Sequence, residues 1–167
     1  MSLDRCVKAL KQFANKRVLV IGDLMLDEHV WGTVDRISPE APVMVVNVES
    51  TDFRAGGAAN VATNLRALGA EASVLGVVGD DEGGAMLRQC LADAGVGVGG
   101  LIADKTRTTT RKTRIWASHR HQVVRVDRET PRKIAPGTVK RIVDYLNDHA
   151  RDVDAVLVSD YNKGVAT

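Results

Sequence analysis

Apolar residues recur along this chain with two different periods. Arg17-Val18-Leu19-Val20-Ile21-Gly22 is an unbroken apolar run that closes on Gly-Asp, the pattern of a strand buried on both faces of a parallel sheet. Ala72 to Val78 and Ala155 to Val158 repeat the theme, each ending near Gly79-Asp80 or Ser159-Asp160. Between them the apolar spacing lengthens to three and four residues, predicting helices over Gly57 to Leu68, Glu82 to Ala94 and Pro136 to His149. An earlier helical pattern carries Leu3, Val7, Leu10 and Phe13, and Gly69 and Gly95 stand where helix C-caps belong. Strands alternating with helices predict an α/β, doubly wound fold.

Two stretches break that rhythm. His29 to Thr51 and Arg107 to Asp127 are alternating or β-branched, with no room for a crossover helix. Thr108-Thr109-Thr110, Ile115, Trp116, Val123, Val124 and Val126 read as paired antiparallel strands. They predict a small sheet projecting from the main one, with lid strands within 28–52 and 107–127. A half-polar sheet with open edges needs a reason to exist, either a site to cover or a second copy to bury the edges. The chain stops at Gly164-Val165-Ala166-Thr167, immediately after what reads as an active-site loop. Three or four core strands would leave an edge strand apolar on both faces, so residues 1–167 read as a single truncated domain.

Length and composition narrow the class. A chain of 167 residues, 44% hydrophobic and 26% charged, is ordinary for a soluble globular domain. Net charge is +2 with acids and bases interleaved, and aromatics are 4%, which gives no basis for nucleic-acid binding. No signal-peptide core or membrane-length apolar run is present. Cys6 and Cys90 read as reduced thiols, and the expected location is cytoplasmic. Gly95-Val96-Gly97-Val98-Gly99-Gly100 matches the dinucleotide fingerprint in letters only. The mechanism needs a strand before it and a helix after it, whereas here a helix ends and an irregular or extended segment follows. No phosphate-loop motif or zinc spacing occurs, and His119 and His121, two apart on a presumed strand, read as surface residues rather than metal ligands.

The chemistry gathers where strands end. Asp23 and Asp27 follow the first strand; Ser159, Asp160, Asn162 and Lys163 follow the last. Gly56-Gly57 joins an extended run to a helix, where backbone can approach a ligand and helix N–H groups face it, with Asn60 adding an amide. The lid supplies Lys112, Arg114, Arg125 and Asp127. Carboxylates accept from paired sugar hydroxyls, and Lys112, Arg114 and Lys163 suit a phosphate. Together they describe a sugar-phosphate pocket. The same residues also admit plainer readings: a loop cap at Asp23, a solvated charged face on the lid, a turn lysine at Lys163.

Asn15 to Asp27, then Arg36-Ile37-Ser38-Pro39-Glu40-Ala41-Pro42-Val43, resemble the opening of the heptose 7-phosphate kinases, a branch of the ribokinase-like carbohydrate kinases. Gly56-Gly57-Ala58-Ala59-Asn60, Lys112-Thr113-Arg114, Gln122 to Asp127 and Ser159 to Gly164 extend the resemblance over nearly the whole chain. The Ser-Pro-Glu-Ala-Pro block is the part most specific to the heptose branch. The resemblance implies a ribokinase-like α/β/α sandwich with a β lid that clasps a second subunit as a homodimer. It implies ATP- and Mg2+-dependent phosphorylation of the anomeric hydroxyl of D-glycero-D-manno-heptose 7-phosphate, on the route to ADP-heptose and the lipopolysaccharide core. Asp23, Asp27, Gly56, Gly57 and Asn60 would hold the sugar; Lys112, Arg114, Arg125 and Lys163 are candidates for its 7-phosphate. Family members continue into a second half with the ATP site and a Gly-Ala-Gly-Asp segment holding the general base, and often into an adenylyltransferase. No such segment is in these 167 residues, so no catalytic base is expected in them, nor tight ATP or Mg2+ binding, nor turnover by the chain alone. Another ribokinase-like sugar kinase, or a non-catalytic dimerisation fragment, is the competing reading.

Overall fold

The computed structural model describes residues 3–117, 121–130 and 132–166. Its elements fall into two four-stranded sheets. The core sheet has the order β5-β4-β1-β8, formed by β1 (Arg17–Gly22), β4 (Glu71–Gly79), β5 (Gly97–Asp104) and β8 (Ala155–Ser159). All of its pairings are parallel. Its central strands are continuous apolar runs because both faces are covered: Leu19, Val20, Val74 and Leu75 are all 1% exposed or less. α2 (Ala58–Ala67) and α3 (Glu82–Asp93) pack over one face with Leu87, Leu91 and Ala62; α4 (Pro136–His149) covers the other through Ile142 against Leu19, Leu75 and Ile102. Each such aliphatic side chain contributes about 1.5–3 kcal/mol on full burial. The segment after Gly95, expected to be irregular or extended, is β5 itself. Gly95, with φ +71°, ends α3 and sends the chain straight into that strand. α1 (Leu3–Lys11) forms as its periodicity predicts, but Leu3, Val7 and Leu10 stay exposed.

The second sheet is the flap, in the order β3-β2-β6-β7. β2 (Leu24–Ile37) pairs antiparallel with β3 (Met44–Gly57) and parallel with β6 (Thr110–Ala117), which pairs antiparallel with β7 (His121–Arg128). β2 and β3 extend beyond the expected lid bounds of 28–52 at both ends. β2 starts one residue after β1 ends, because Leu24, Met25 and Leu26 continue the apolar run and are buried. The Ser38-Pro39-Glu40-Ala41-Pro42 block makes the turn at the flap's far tip, closed by the Ser38 N–H donating to Val43 O at 2.8 Å. β8 lies at the end of the core sheet, with Val156 and Val158 exposed.

Candidate functional site

Strand periodicity sorts the flap's charges onto two faces. Asp27, His29 and Trp31 share one face of β2, and the register places Lys112, Arg114 and Trp116 beside them. Asp127 and Arg125 complete the two rows from β7. Arg114 Nη1 lies 2.6 Å from Asp27 Oδ1. Lys112 Nζ lies 2.9 Å from Asp127 Oδ2, and Arg125 Nε lies 2.9 Å from Asp127 Oδ1. The hydrogen bond from Lys112, with help from Arg125, holds the Asp127 carboxyl below its usual range. Lys163, in the loop after β8, reaches this group through Glu129: its Nζ lies 2.9 Å from Glu129 Oε2, and Lys112 Nζ lies 3.8 Å from the same oxygen. Lys112, Arg125 and Lys163 therefore belong to one network, joined by Asp127 and Glu129, and the Asp27–Arg114 pair lies beside it in the β2–β6–β7 register. Every cation in it is already paired.

Farther along this face, Trp31 and Trp116 stack at 5.2 Å between centroids, with His29 against both. Trp116 Nε1 donates to His29 Nδ1 at 3.0 Å, and Trp31 Nε1 donates to Asp52 Oδ2 at 2.6 Å. The opposite face carries the buried pair Glu28–Arg111, with Arg111 Nε 2.8 Å from Glu28 Oε2 and Thr113 Oγ1 also donating. The Arg111 hydrogen bond, outweighing burial, holds Glu28 below its usual range.

The glycine corner is built for close approach. A Cβ on Gly56 would sit 2.7 Å from Asp27 Oδ2, so only glycine leaves that carboxylate room. Gly57 takes φ +56°, and a Cβ there would meet Asp23 O at 2.5 Å. The start of α2 is less open than expected, because the Ala58 N–H donates to Asp23 O and Ala58 and Ala59 are fully buried.

Two of the expected sugar contacts are placed differently. Asp23 is 2% exposed, and its carboxylate accepts from the backbone N–H groups of Tyr161 (2.8 Å), Lys163 (3.0 Å) and Val165 (3.3 Å). These hydrogen bonds fasten the loop after β8, so Asp23 positions the segment that bears Lys163. Asn60 is exposed on α2 and lines a cavity of about 360 Å3 with Phe53, Arg54, Thr63, Cys90 and Asp93, away from the Asp27 network. Burial raises the Cys90 thiol above its usual range. His119 lies outside the described residues, and His121 opens β7.

Sequence reading passed over Glu129 and the paired tryptophans. Glu129 belongs to no motif, and only its tertiary contacts with Lys112 and Lys163 raise it. Among the described residues no group of three or more His, Cys, Asp or Glu could hold a metal ion.

Residues 15–156 match the pfkB family of carbohydrate kinases. The chain belongs to that family. It is 54% identical over 149 residues to the bifunctional protein HldE of Geobacter sulfurreducens, covering 89% of this chain and 30% of that protein. It is 52% identical over 151 residues to the bifunctional protein HldE of Citrifermentans bemidjiense, covering 90% and 31%. The chain thus spans less than a third of the length of these relatives. Among solved structures, the tetrameric inhibited form of phosphofructokinase-2 from Escherichia coli superposes with a TM-score of 0.66 at 18% identity, over 91% of this chain and 47% of that one. Arabidopsis thaliana ribokinase complexed with ribose and ATP gives 0.59 at 16% identity, over 86% and 45%. Those likenesses show the fold, a ribokinase-like α/β sandwich with its flap.

Proposed function

We propose that this chain supplies the sugar-binding half of a kinase that phosphorylates the anomeric hydroxyl of D-glycero-D-manno-heptose 7-phosphate, on the cytoplasmic route to ADP-heptose. The observation that carries the reading is the half-buried Asp27 carboxylate, set against Gly56 and paired with Arg114 at the root of the flap. A carboxylate beside a guanidinium presents acceptor and donor together, which suits vicinal hydroxyls. Lys112, Arg125 and Lys163 would take the 7-phosphate by exchanging Asp127 and Glu129 for it. Gly57 shapes the corner, and Asn60 and Asp23 act at its margins. The kinship with the bifunctional HldE proteins supports the heptose substrate over other sugars of the family.

ATP with its Mg2+ would supply the transferred phosphoryl group in the whole enzyme. Phosphoryl transfer rests on positioning and on electrostatic stabilisation of the moving group, and the residues of this chain contribute the positioning of the acceptor. The 167 residues alone are therefore expected to bind the sugar phosphate without turning it over. Flap residues Ile37, Val43, Met44 and Val48 are 50–61% exposed, which supports a second copy of the chain as the flap's partner.

Calorimetric titration with heptose 7-phosphate tests the reading. Saturable binding is expected, with a loss of about tenfold or more in Asp27→Asn. No binding by the wild-type chain, or equal binding by the variant, would refute it. Incubation with ATP should give no product above background.

A further inference from the structure

Asp127 and Glu129 both neutralise flap cations, and they are held in different ways. Asp127 lies wholly within the flap and is well hydrogen-bonded. Its Oδ1 accepts from Arg125 Nε at 2.9 Å, and its Oδ2 accepts from Lys112 Nζ at 2.9 Å and Arg125 Nη2 at 3.1 Å. Glu129, the first residue after β7, reaches across to the core instead. Its Oε1 accepts from Lys163 Nζ at 3.1 Å. Its Oε2 lies 2.9 Å from the same ammonium and 3.8 Å from Lys112 Nζ, yet it is buried without an aligned hydrogen bond. That oxygen is held by charge alone, the weaker tie.

The surroundings of Glu129 are fixed without its help. Lys112 sits in the β2–β6–β7 register, and the Lys163 N–H donates to Asp23 Oδ2 at 3.0 Å. Next to Glu129, Thr130 Oγ1 accepts from the Thr108 N–H at 3.1 Å. The side chains of Lys112, Lys163 and Glu129 are 16%, 25% and 27% exposed, so solvent screens their charges only in part. Among the ion pairs of the described residues, Glu129 alone joins a flap lysine to the loop after β8. Two ammonium groups from separate segments thus face one carboxylate oxygen that neither holds squarely.

We propose that Glu129 is a built-in competitor for the substrate's phosphate: its carboxylate fills the place between Lys112 and Lys163 and leaves when the phosphate enters. The inference rests on the sugar-phosphate reading of these lysines given above. A phosphate carries about −1.5 to −2 charge at pH 7 and three acceptor oxygens, against a single charge on Glu129. It can satisfy both ammonium groups where the carboxylate satisfies one. The apparent affinity of any anion is lowered by the fraction of molecules in which Glu129 has moved aside. Glu129 therefore sets a threshold that a hydroxyl or a lone carboxylate does not pass. The incoming phosphate takes over the link between flap and core loop rather than breaking it.

The test is a titration of the isotope-labelled 167-residue chain and of Glu129→Gln with inorganic phosphate at fixed ionic strength, followed by the backbone amides of Lys112 and Lys163. The variant should bind phosphate about fivefold or more tightly than the wild type. A glutamate that merely braced the loop would give the opposite sign. The gain should vanish when both chains carry Lys163→Met, because the competing contact is then already gone. Equal or weaker binding by Glu129→Gln, no saturable binding by either chain, or a gain that survives Lys163→Met would each overturn the inference. Heptose 7-phosphate separates this result from the substrate reading. If Glu129→Gln gains affinity for inorganic phosphate while neither chain binds heptose 7-phosphate, the substrate falls and the competitor stands. If both chains bind heptose 7-phosphate equally well, the competitor falls and the substrate stands.

Discussion

The core sheet and the flap have the same number of strands and opposite chemistry. In β1, Val18, Leu19 and Val20 are 8%, 1% and 0% exposed, and the strand has neighbours on both edges and cover on both faces. In β7, from His121 to Arg128, nearly every residue is exposed, and charged side chains alternate with valines. The core spends its sequence on burial, so its residues are interchangeable within limits of volume. The flap spends its sequence on paired charges whose partners come from other strands, so each residue there depends on a register. Stability should therefore respond to the first sheet and ligand binding to the second.

The largest effect should come from the centre of the core. Leu75→Ala, at a fully buried position, is expected to cost about 2–5 kcal/mol in urea unfolding through lost contacts and the cavity left behind. An effect within experimental error would contradict the packing described. Next is Asp23, which belongs to both regions. Asp23→Asn removes the charge from three backbone hydrogen bonds and should cost about 1.5–3 kcal/mol, with faster amide exchange at Tyr161 and Lys163. If unfolding and exchange are unchanged, the loop is held by something else.

Glu28→Gln tests the one flap pair that behaves like core. Glu28 is held below its ordinary range chiefly by Arg111, so its stabilising contribution is fully present above the unfolded-state value. It is lost as pH falls through the depressed folded value. The wild type should exceed the variant by about 1–3 kcal/mol at neutral pH, and the two should converge as pH falls below the usual glutamate range. A constant gap would place the effect outside the carboxyl group. The smallest change in stability should come from Asp27→Asn, because that pair is partly exposed; under about 1 kcal/mol is expected. A large loss of stability there would turn the proposed sugar contact into a structural one.

The core was legible in the sequence because burial on two faces leaves unbroken apolar runs, and β1 falls at Arg17–Gly22 as read. The helices follow for the same reason, through spacing alone. β5 was harder, since Gly97, Gly99 and Gly100 carry no strand signal and the pairing with β4 supplies the structure. The backbone partners of Asp23 and the ion pairs of Glu129 were not legible, for a common cause. The role of Asp23 is set by amide groups about 140 positions away, and that of Glu129 by lysines on two other segments. A spacing rule sees what lies nearby in the chain, whereas these carboxylates are defined by tertiary neighbours. The Ser-Pro-Glu-Ala-Pro block shows the converse. It marked the family branch most sharply, yet it sits at the flap's tip, remote from the Asp27 network.

Between the last residue of β1 and the first of β2 stands Asp23 alone. The flap's first strand thus leaves the core through a single residue whose side chain is bolted to the segment bearing Lys163. Tilting the flap pulls on that bolt. The root of β2 and the placing of that lysine are thereby coupled.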